Sequence, residues 1–178
     1  MRKVISVFGS SNPQPGSADY EQARQVGRFL AEAGFAVATG GYNGVMAAAS
    51  QGAAEAGGHV IGVTSGRIEG FRPLRPNPWV KEIIHFDNLR DRVLHLVSQN
   101  QGMITLPGGI GTLSELAMAW SFIQVGEMAQ VPLVVLGELW QNTLSGFIRP
   151  EYVRDGHAAL LYFAPTPEAA VEYIKRNT

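Results

Sequence analysis

The residues best suited to chemistry stand together at positions 106–115, which read LPGGIGTLSE. A short apolar run precedes this stretch and an apolar helical pattern follows it, which predicts a strand, a glycine turn and a helix start. Three glycines in four positions let backbone N–H groups converge on one point, and a helix N-terminus favours an anion there. Because Glu115 follows one turn later, the stretch predicts a phosphate cradle beside a carboxylate, and hence chemistry on a phosphorylated small molecule. The cradle residues are Pro107, Gly108, Gly109, Gly111 and Thr112.

The same residues also fit a purely structural role. Thr112 and Glu115 have the spacing of a capping box, in which Thr112 would cap the helix and Glu115 would reach back to the backbone N–H of Thr112. The spacing alone does not decide between the cap and the carboxylate of an active site.

Two more glycine turns follow predicted strands. The strand at 4–8 ends at Gly9 and Ser10, where serine hydroxyls could donate to a phosphate or simply stabilise a turn. The strand at 35–39 ends at a turn that contains Gly40, Gly41 and Gly44. Turns that follow parallel strands meet at the carboxyl edge of the sheet, so we expect all three glycine turns to share one ligand site.

The elements that must position these turns alternate along the whole chain. This alternation predicts an α/β fold, a Rossmann-like doubly wound parallel sheet of at least six strands with helices on both faces, in a single nucleotide-binding domain over residues 1–178. The acidic residue expected about 20 positions beyond a dinucleotide fingerprint is missing in a matching frame, which disfavours NAD. The predicted strands are 4–8, 35–39, 59–64, 82–86, 103–106, 132–136 and 160–163.

Arginines are the remaining candidates for anion binding. Arg90 falls in the first turn of a predicted helix at 88–100, where the helix dipole disfavours a cation, so it needs a partner such as a carboxylate or a bound phosphate. The alternative is a solvent-exposed arginine whose unfavourable interaction with the helix dipole is reduced by the negative charges of Asp87 and Asp91. A long predicted loop at 65–81 could act as a lid over a ligand or could be simply solvated. Its arginines are Arg67, Arg72 and Arg75.

Composition and charge exclude several classes of function. A formal net charge of −1 gives no indication of a nucleic-acid partner, and no apolar run is long enough to span a membrane. The chain has no cysteine, and its four histidines lack metal-ligand spacing, so we expect neither a metal nor a cofactor. The N-terminus enters a strand pattern without a signal-peptide layout, which predicts a cytoplasmic location.

The signature at 107–115 resembles that of the LONELY GUY (LOG) family, which are nucleoside 5′-monophosphate phosphoribohydrolases. The resemblance extends to the small residues at 8–11, to the turn at 40–46 and to Gln124-x-Gly126. It implies catalytic roles for Arg90 and Glu115 and places Met46 near the substrate. The family carries an Arg-Lys pair on the helix before the signature; Arg90 matches the arginine, and Asp91 stands where the lysine would be.

The expected function is therefore hydrolysis of the N-glycosidic bond of a nucleoside 5′-monophosphate, and the family name suggests a cytokinin riboside monophosphate or an AMP-like substrate. The alternative is a non-catalytic carrier of a phosphorylated ligand, because molybdenum-cofactor carrier proteins resemble the family and share its glycine turns. The helix predicted at 113–125 is apolar nearly all round, which favours a homodimer or a larger homo-oligomer.

Overall fold

The computed structural model describes residues 2–71 and 73–178 and contains one seven-stranded sheet. Arg72, one of the arginines in the predicted loop, lies outside the described residues. The strands are β1 (Val4–Phe8), β2 (Ala36–Thr39), β3 (Val60–Ser65), β4 (Glu82–Phe86), β5 (Met103–Thr105), β6 (Leu133–Leu136) and β7 (Leu161–Ala164). The helices are α1 (Ala18–Glu32), α2 (Val45–Glu55), α3 (Gly66–Phe71), α4 (Leu89–Ser98), α5 (Ile110–Val125), α6 (Glu138–Phe147), α7 (Asp155–Ala158) and α8 (Pro167–Asn177).

All strand pairs are parallel, and the strand order is β4-β3-β2-β1-β5-β6-β7. This arrangement confirms the predicted Rossmann-like sheet. The chain runs outward from β1 to β4 and then crosses back to place β5 beside β1, with Val7 paired to Ile104. The crevice at the carboxyl ends of β1 and β5 is therefore the switch point where such sheets bind ligands.

Two hydrophobic clusters cover the two faces of the sheet. Successive residues of a strand point to opposite faces, so Ile104 packs in the cluster with α1, α2 and α8, while Met103 packs in the cluster with α4, α5 and α6. Both faces are buried, which explains why the inner strands read as continuous apolar runs rather than alternating ones. No helix in the described residues combines the length and the apolar character that a membrane span requires.

The helices differ from the sequence-based expectation in two places that matter for the site. α5 begins at Ile110, three residues earlier than predicted, because Gly109 serves as its N-cap and the helix tolerates Gly111 in its first turn. The segment predicted as a loop at 65–81 contains the short helix α3, which directly continues β3. α3 is too short for a helical periodicity, and its two glycines conceal it in the sequence.

Candidate active site

The three glycine turns meet at the carboxyl edge of the sheet and are hydrogen-bonded to one another. The backbone N–H of Ser10 donates to the carbonyl of Pro107 at 3.0 Å, and the backbone N–H of Val45 donates to the carbonyl of Ser10 at 2.8 Å. The hydroxyl of Ser10 accepts from the backbone N–H of Asn12 at 3.1 Å. Ser10 therefore links the turn after β1 to the turns after β5 and β2.

These turns open into a cleft of about 1100 Å³. The predicted site residues that line it are Gly9, Ser10, Gly40, Met46, Gly109, Gly111, Thr112 and Glu115. The cleft lining does not include Gly41, Gly44, Pro107, Gly108 or Arg90. The three glycines in this second group shape the backbone instead: Gly44, for example, has a φ of +66°, and a side chain there would overlap the backbone of Ser10 and Ser11.

The N-terminus of α5 faces this cleft without a side-chain cap. Gly109 is the N-cap residue and offers no hydrogen-bonding side chain, so the first backbone N–H groups of α5 are left for a ligand. A Cβ atom added at Gly109 or at Gly111 would meet open space. An uncapped helix N-terminus beside free volume is a suitable site for a phosphate.

The capping-box interpretation of Thr112 and Glu115 is wrong. Because α5 begins at Ile110, Thr112 lies inside the helix and Glu115 lies in its second turn. The Glu115 carboxylate accepts a hydrogen bond from Arg92 instead, with 2.8 Å between Nη1 and Oε1. Glu115 is thus free of any capping role and belongs to a buried ion pair.

The Arg92–Glu115 ion pair lies at the floor of the cleft. The two side chains are only 8% and 9% exposed, and Arg92 Nε also donates to the carbonyl of Val63 at 3.1 Å. A Cβ atom at Gly40 would overlap the Arg92 guanidinium and approach Met46 Sδ, so the glycine provides the space that the arginine occupies. Buried charges of this kind are held only where partners compensate them, which fixes both side chains in position.

Burial changes the pKa of Glu115. Removal from water raises the pKa of the Glu115 carboxyl above its ordinary value, and the facing Arg92 guanidinium opposes this shift. A carboxyl whose pKa is perturbed by burial and by one specific partner, in a cleft, is typical of an active site.

The arginine that faces Glu115 in the cleft is Arg92, which corrects the expectation for Arg90. The Arg90 side chain is 80% exposed and pairs with the adjacent Asp91 at 3.2 Å. The sequence held a signal for Arg92: it falls on the buried stripe of α4 with Val93, Leu96 and Val97. A cation on a buried stripe requires a partner.

A second group of contacts, also missed from the sequence, ties α3 and the chain beyond it to the glycine turn after β2. The Tyr42 hydroxyl accepts from the backbone N–H of Ser65 at 2.9 Å and donates to Glu69 Oε1 at 3.1 Å. Asn77 Nδ2 donates to the carbonyls of Gly41 and Tyr42, each at 3.0 Å. The chain is therefore anchored at Ser65 and at Asn77, and α3 and Leu74, which lie between them, line one wall of the cleft.

Among the described residues, no group of three or more histidine, aspartate or glutamate side chains could hold a metal ion. The described residues provide the cleft with the carboxylate of Glu115, the guanidinium groups of Arg67 and Arg92, and the N-terminus of α5.

Comparison with known proteins gives relatives of two kinds. A probable cytokinin riboside 5′-monophosphate phosphoribohydrolase of rice, LOGL6, is 28% identical over 96% of this chain and 70% of the relative. The cytokinin riboside 5′-monophosphate phosphoribohydrolase of Mycobacterium tuberculosis is 30% identical over 83% of this chain and 82% of the relative. The molybdenum cofactor binding protein of Rippkaea orientalis superposes with a TM-score of 0.77 at 28% identity, covering 99% of this chain and 97% of that one.

These relatives confirm the resemblance to the LOG phosphoribohydrolases that the glycine signature indicated. The model of the SLOG cluster4 family matches residues 2–145, which include the cleft and all three glycine turns. The chain therefore belongs to the SLOG cluster4 family.

Proposed function

We propose that this protein hydrolyses the N-glycosidic bond of a nucleoside 5′-monophosphate, giving the free base and ribose 5-phosphate. The observation that carries this proposal is the buried Arg92–Glu115 pair on the floor of a cleft whose adjoining wall is an uncapped helix N-terminus. The relatives from rice and Mycobacterium tuberculosis, which are named for this reaction, support it.

The phosphate of the substrate binds at the N-terminus of α5, where the space beside Gly109 and Gly111 is open. The backbone N–H groups and the helix dipole both favour a dianion at that point. With the phosphate held there, the ribose extends over the floor of the cleft toward Glu115, which lies one turn further along α5.

The reaction breaks the bond between C1′ of the ribose and the nitrogen of the base. The electron pair of this bond leaves with the base, which takes up a proton, and C1′ acquires the positive character of an oxocarbenium ion. A water molecule then adds to C1′ and loses a proton, which over the whole cycle replaces the proton that the base takes up from solvent. The Glu115 carboxylate stabilises the positive centre and accepts a proton from the water, and it acts strongly because it is removed from bulk solvent.

Arg92 has two functions in this proposal, in place of the role expected for Arg90. It opposes the rise in the pKa of Glu115 and so favours the ionised carboxylate. Its bond to the carbonyl of Val63 fixes the guanidinium, which in turn holds the carboxylate in one orientation. Such preorganisation reduces the reorganisation needed during the reaction.

The test is incubation with a panel of nucleoside monophosphates while the release of free base is followed. Glu115→Gln should release base at least ~10²-fold more slowly, because the neutral amide supplies neither a base nor a negative charge. Arg92→Gln should also slow the reaction, and Arg90→Gln is its matched control, since it removes a similar charge from the solvent-exposed side of the same helix. Near-wild-type turnover by Glu115→Gln would contradict the proposal.

A carrier of a phosphorylated ligand is the second candidate. It is favoured by the similarity to the Rippkaea orientalis protein, which spans nearly the whole of both chains. A wild-type protein that binds phosphorylated ligands but releases no base from any nucleotide would establish this candidate in place of the hydrolase.

A further inference from the structure

The cleft extends along the carboxyl ends of four neighbouring strands, β5, β1, β2 and β3, and a different group lines it at each end. The N-terminus of α5 lies beyond β5, the Arg92 guanidinium lies against Gly40 at the end of β2, and α3 continues β3. β5 and β3 are three strand spacings apart, which corresponds to about 14 Å. A nucleotide with its phosphate at α5 and its ribose at Glu115 therefore directs its base toward α3.

Among the described residues, the wall at the α3 end combines apolar surface with the cation of Arg67. Ile68 and Leu74 supply the apolar surface on which the face of a base can pack, and Arg67 supplies the cation. In the part of the chain that the structure describes, no carboxylate lies within ion-pair distance of Arg67, whereas Arg92 is paired with Glu115. Glu69, the other charged residue of α3, contacts Tyr42.

The backbone that carries Arg67 is fixed. The backbone N–H of Arg67 donates to the carbonyl of Asp87 at 3.1 Å, and the residues on either side of it, Ser65 and Glu69, are both bound by the Tyr42 hydroxyl. The fixed backbone sets where the Arg67 side chain starts, and the planar guanidinium loses less freedom per hydrogen bond than a lysine would, so this arginine is suited to reading the edge of a base.

We infer that Arg67 is a specificity-determining residue that selects 6-oxopurine nucleoside 5′-monophosphates. A guanidinium has donors only, and its geometry matches the two acceptors O6 and N7 of a 6-oxopurine. A 6-aminopurine presents a donor in place of O6, so one of the two hydrogen bonds is lost and two donors face each other. The inference rests on the proposed function for the placement of the nucleotide, and it replaces the AMP-like substrate with GMP and IMP.

The test measures equilibrium binding of GMP, IMP, AMP and ribose 5-phosphate by calorimetry, in a Glu115→Gln background that suppresses turnover. The background protein should bind GMP and IMP more tightly than AMP, on the order of 10-fold, as one bidentate contact contributes. Arg67→Gln should abolish this preference and leave ribose 5-phosphate binding unchanged. Arg67→Lys should also fail to restore it, because the charge remains but the paired donors do not.

Arg75→Gln is the matched control, since it removes an arginine from the same segment outside the cleft lining. Equal affinity of the background protein for GMP and AMP would overturn the inference, as would an equal loss of GMP, AMP and ribose 5-phosphate binding in Arg67→Gln. Free-base release by the wild-type protein is measured separately. If the protein releases free base but does not prefer 6-oxopurines, only the role of Arg67 is refuted. If it binds 6-oxopurine nucleotides preferentially but releases no base, only the hydrolase function is refuted.

Discussion

The Glu115 carboxyl should control how activity depends on pH. Because burial raises its pKa, the carboxylate is lost as the pH falls through a value above that of an ordinary glutamate. In a plot of kcat/KM against pH, the midpoint of the acidic limb should therefore lie above 4.5, the ordinary pKa of a glutamate carboxyl. Arg92→Gln removes the charge that opposes the shift, so the limb should move to a still higher pH. An unchanged limb in a variant with measurable residual activity would contradict this role.

The same shift makes a prediction for stability that does not require activity. A carboxyl whose pKa is raised in the folded state is stabilising when protonated, and this stability is lost as the pH rises from 4.5 through the folded-state pKa. Melting temperatures measured across this window should fall less steeply with pH in Glu115→Gln than in the wild-type protein.

At the scale of single elements, α3 depends on one hydroxyl group. Tyr42→Phe removes the acceptor for the backbone N–H of Ser65 and the donor to Glu69, which leaves a buried N–H group without its partner. We expect a loss of about 1–3 kcal/mol in the free energy of unfolding α3 locally. Hydrogen exchange should show reduced protection over α3, and KM should rise more than kcat falls, since α3 forms a wall of the cleft rather than its floor.

Tyr20→Phe is the matched control for this prediction. The Tyr20 hydroxyl donates to Gln51 at 2.8 Å and links α1 to α2, away from the cleft lining. Its loss should leave both KM and the protection of α3 unchanged. Equal effects of the two variants on KM would show that Tyr42 acts only on overall stability.

At the scale of the whole molecule, the outer face of α5 predicts association. Ile110 is 82% and Val125 68% exposed, and Met118 and Phe122 remain partly exposed although both pack against the core. We expect sedimentation at micromolar concentration to show a homodimer or a larger assembly. Val125→Glu should shift it toward monomer, and Gln124→Glu, which adds the same charge to an exposed position, should not. A wild-type protein that sediments only at 19.2 kDa would contradict this prediction.

The sequence by itself determined the sheet and the edge at which ligands bind. Strands that alternate with helices must run parallel, because each helix returns the chain to the same starting edge. Every glycine turn that follows a strand then falls at the carboxyl edge, which is why the sequence predicts that the turns of Gly9, Gly40 and Gly108 share one edge, and hydrogen bonds join these three turns in the structure. The identity of Glu115 as a cleft residue followed from the same reasoning, since it lies one turn beyond such a turn.

Only the tertiary structure decided which arginine faces Glu115. Arg90 and Arg92 are two residues apart, which corresponds to about 200° around a helix. One of them therefore faces solvent when the other faces the sheet, and an error in the assumed rotation of the helix selects the wrong arginine. The pairing of Arg92 with Glu115 joins two different helices, and the contacts of Tyr42 and Asn77 join a turn to a distant segment. Local sequence patterns do not encode such contacts, because they depend on how the packed elements are rotated and spaced.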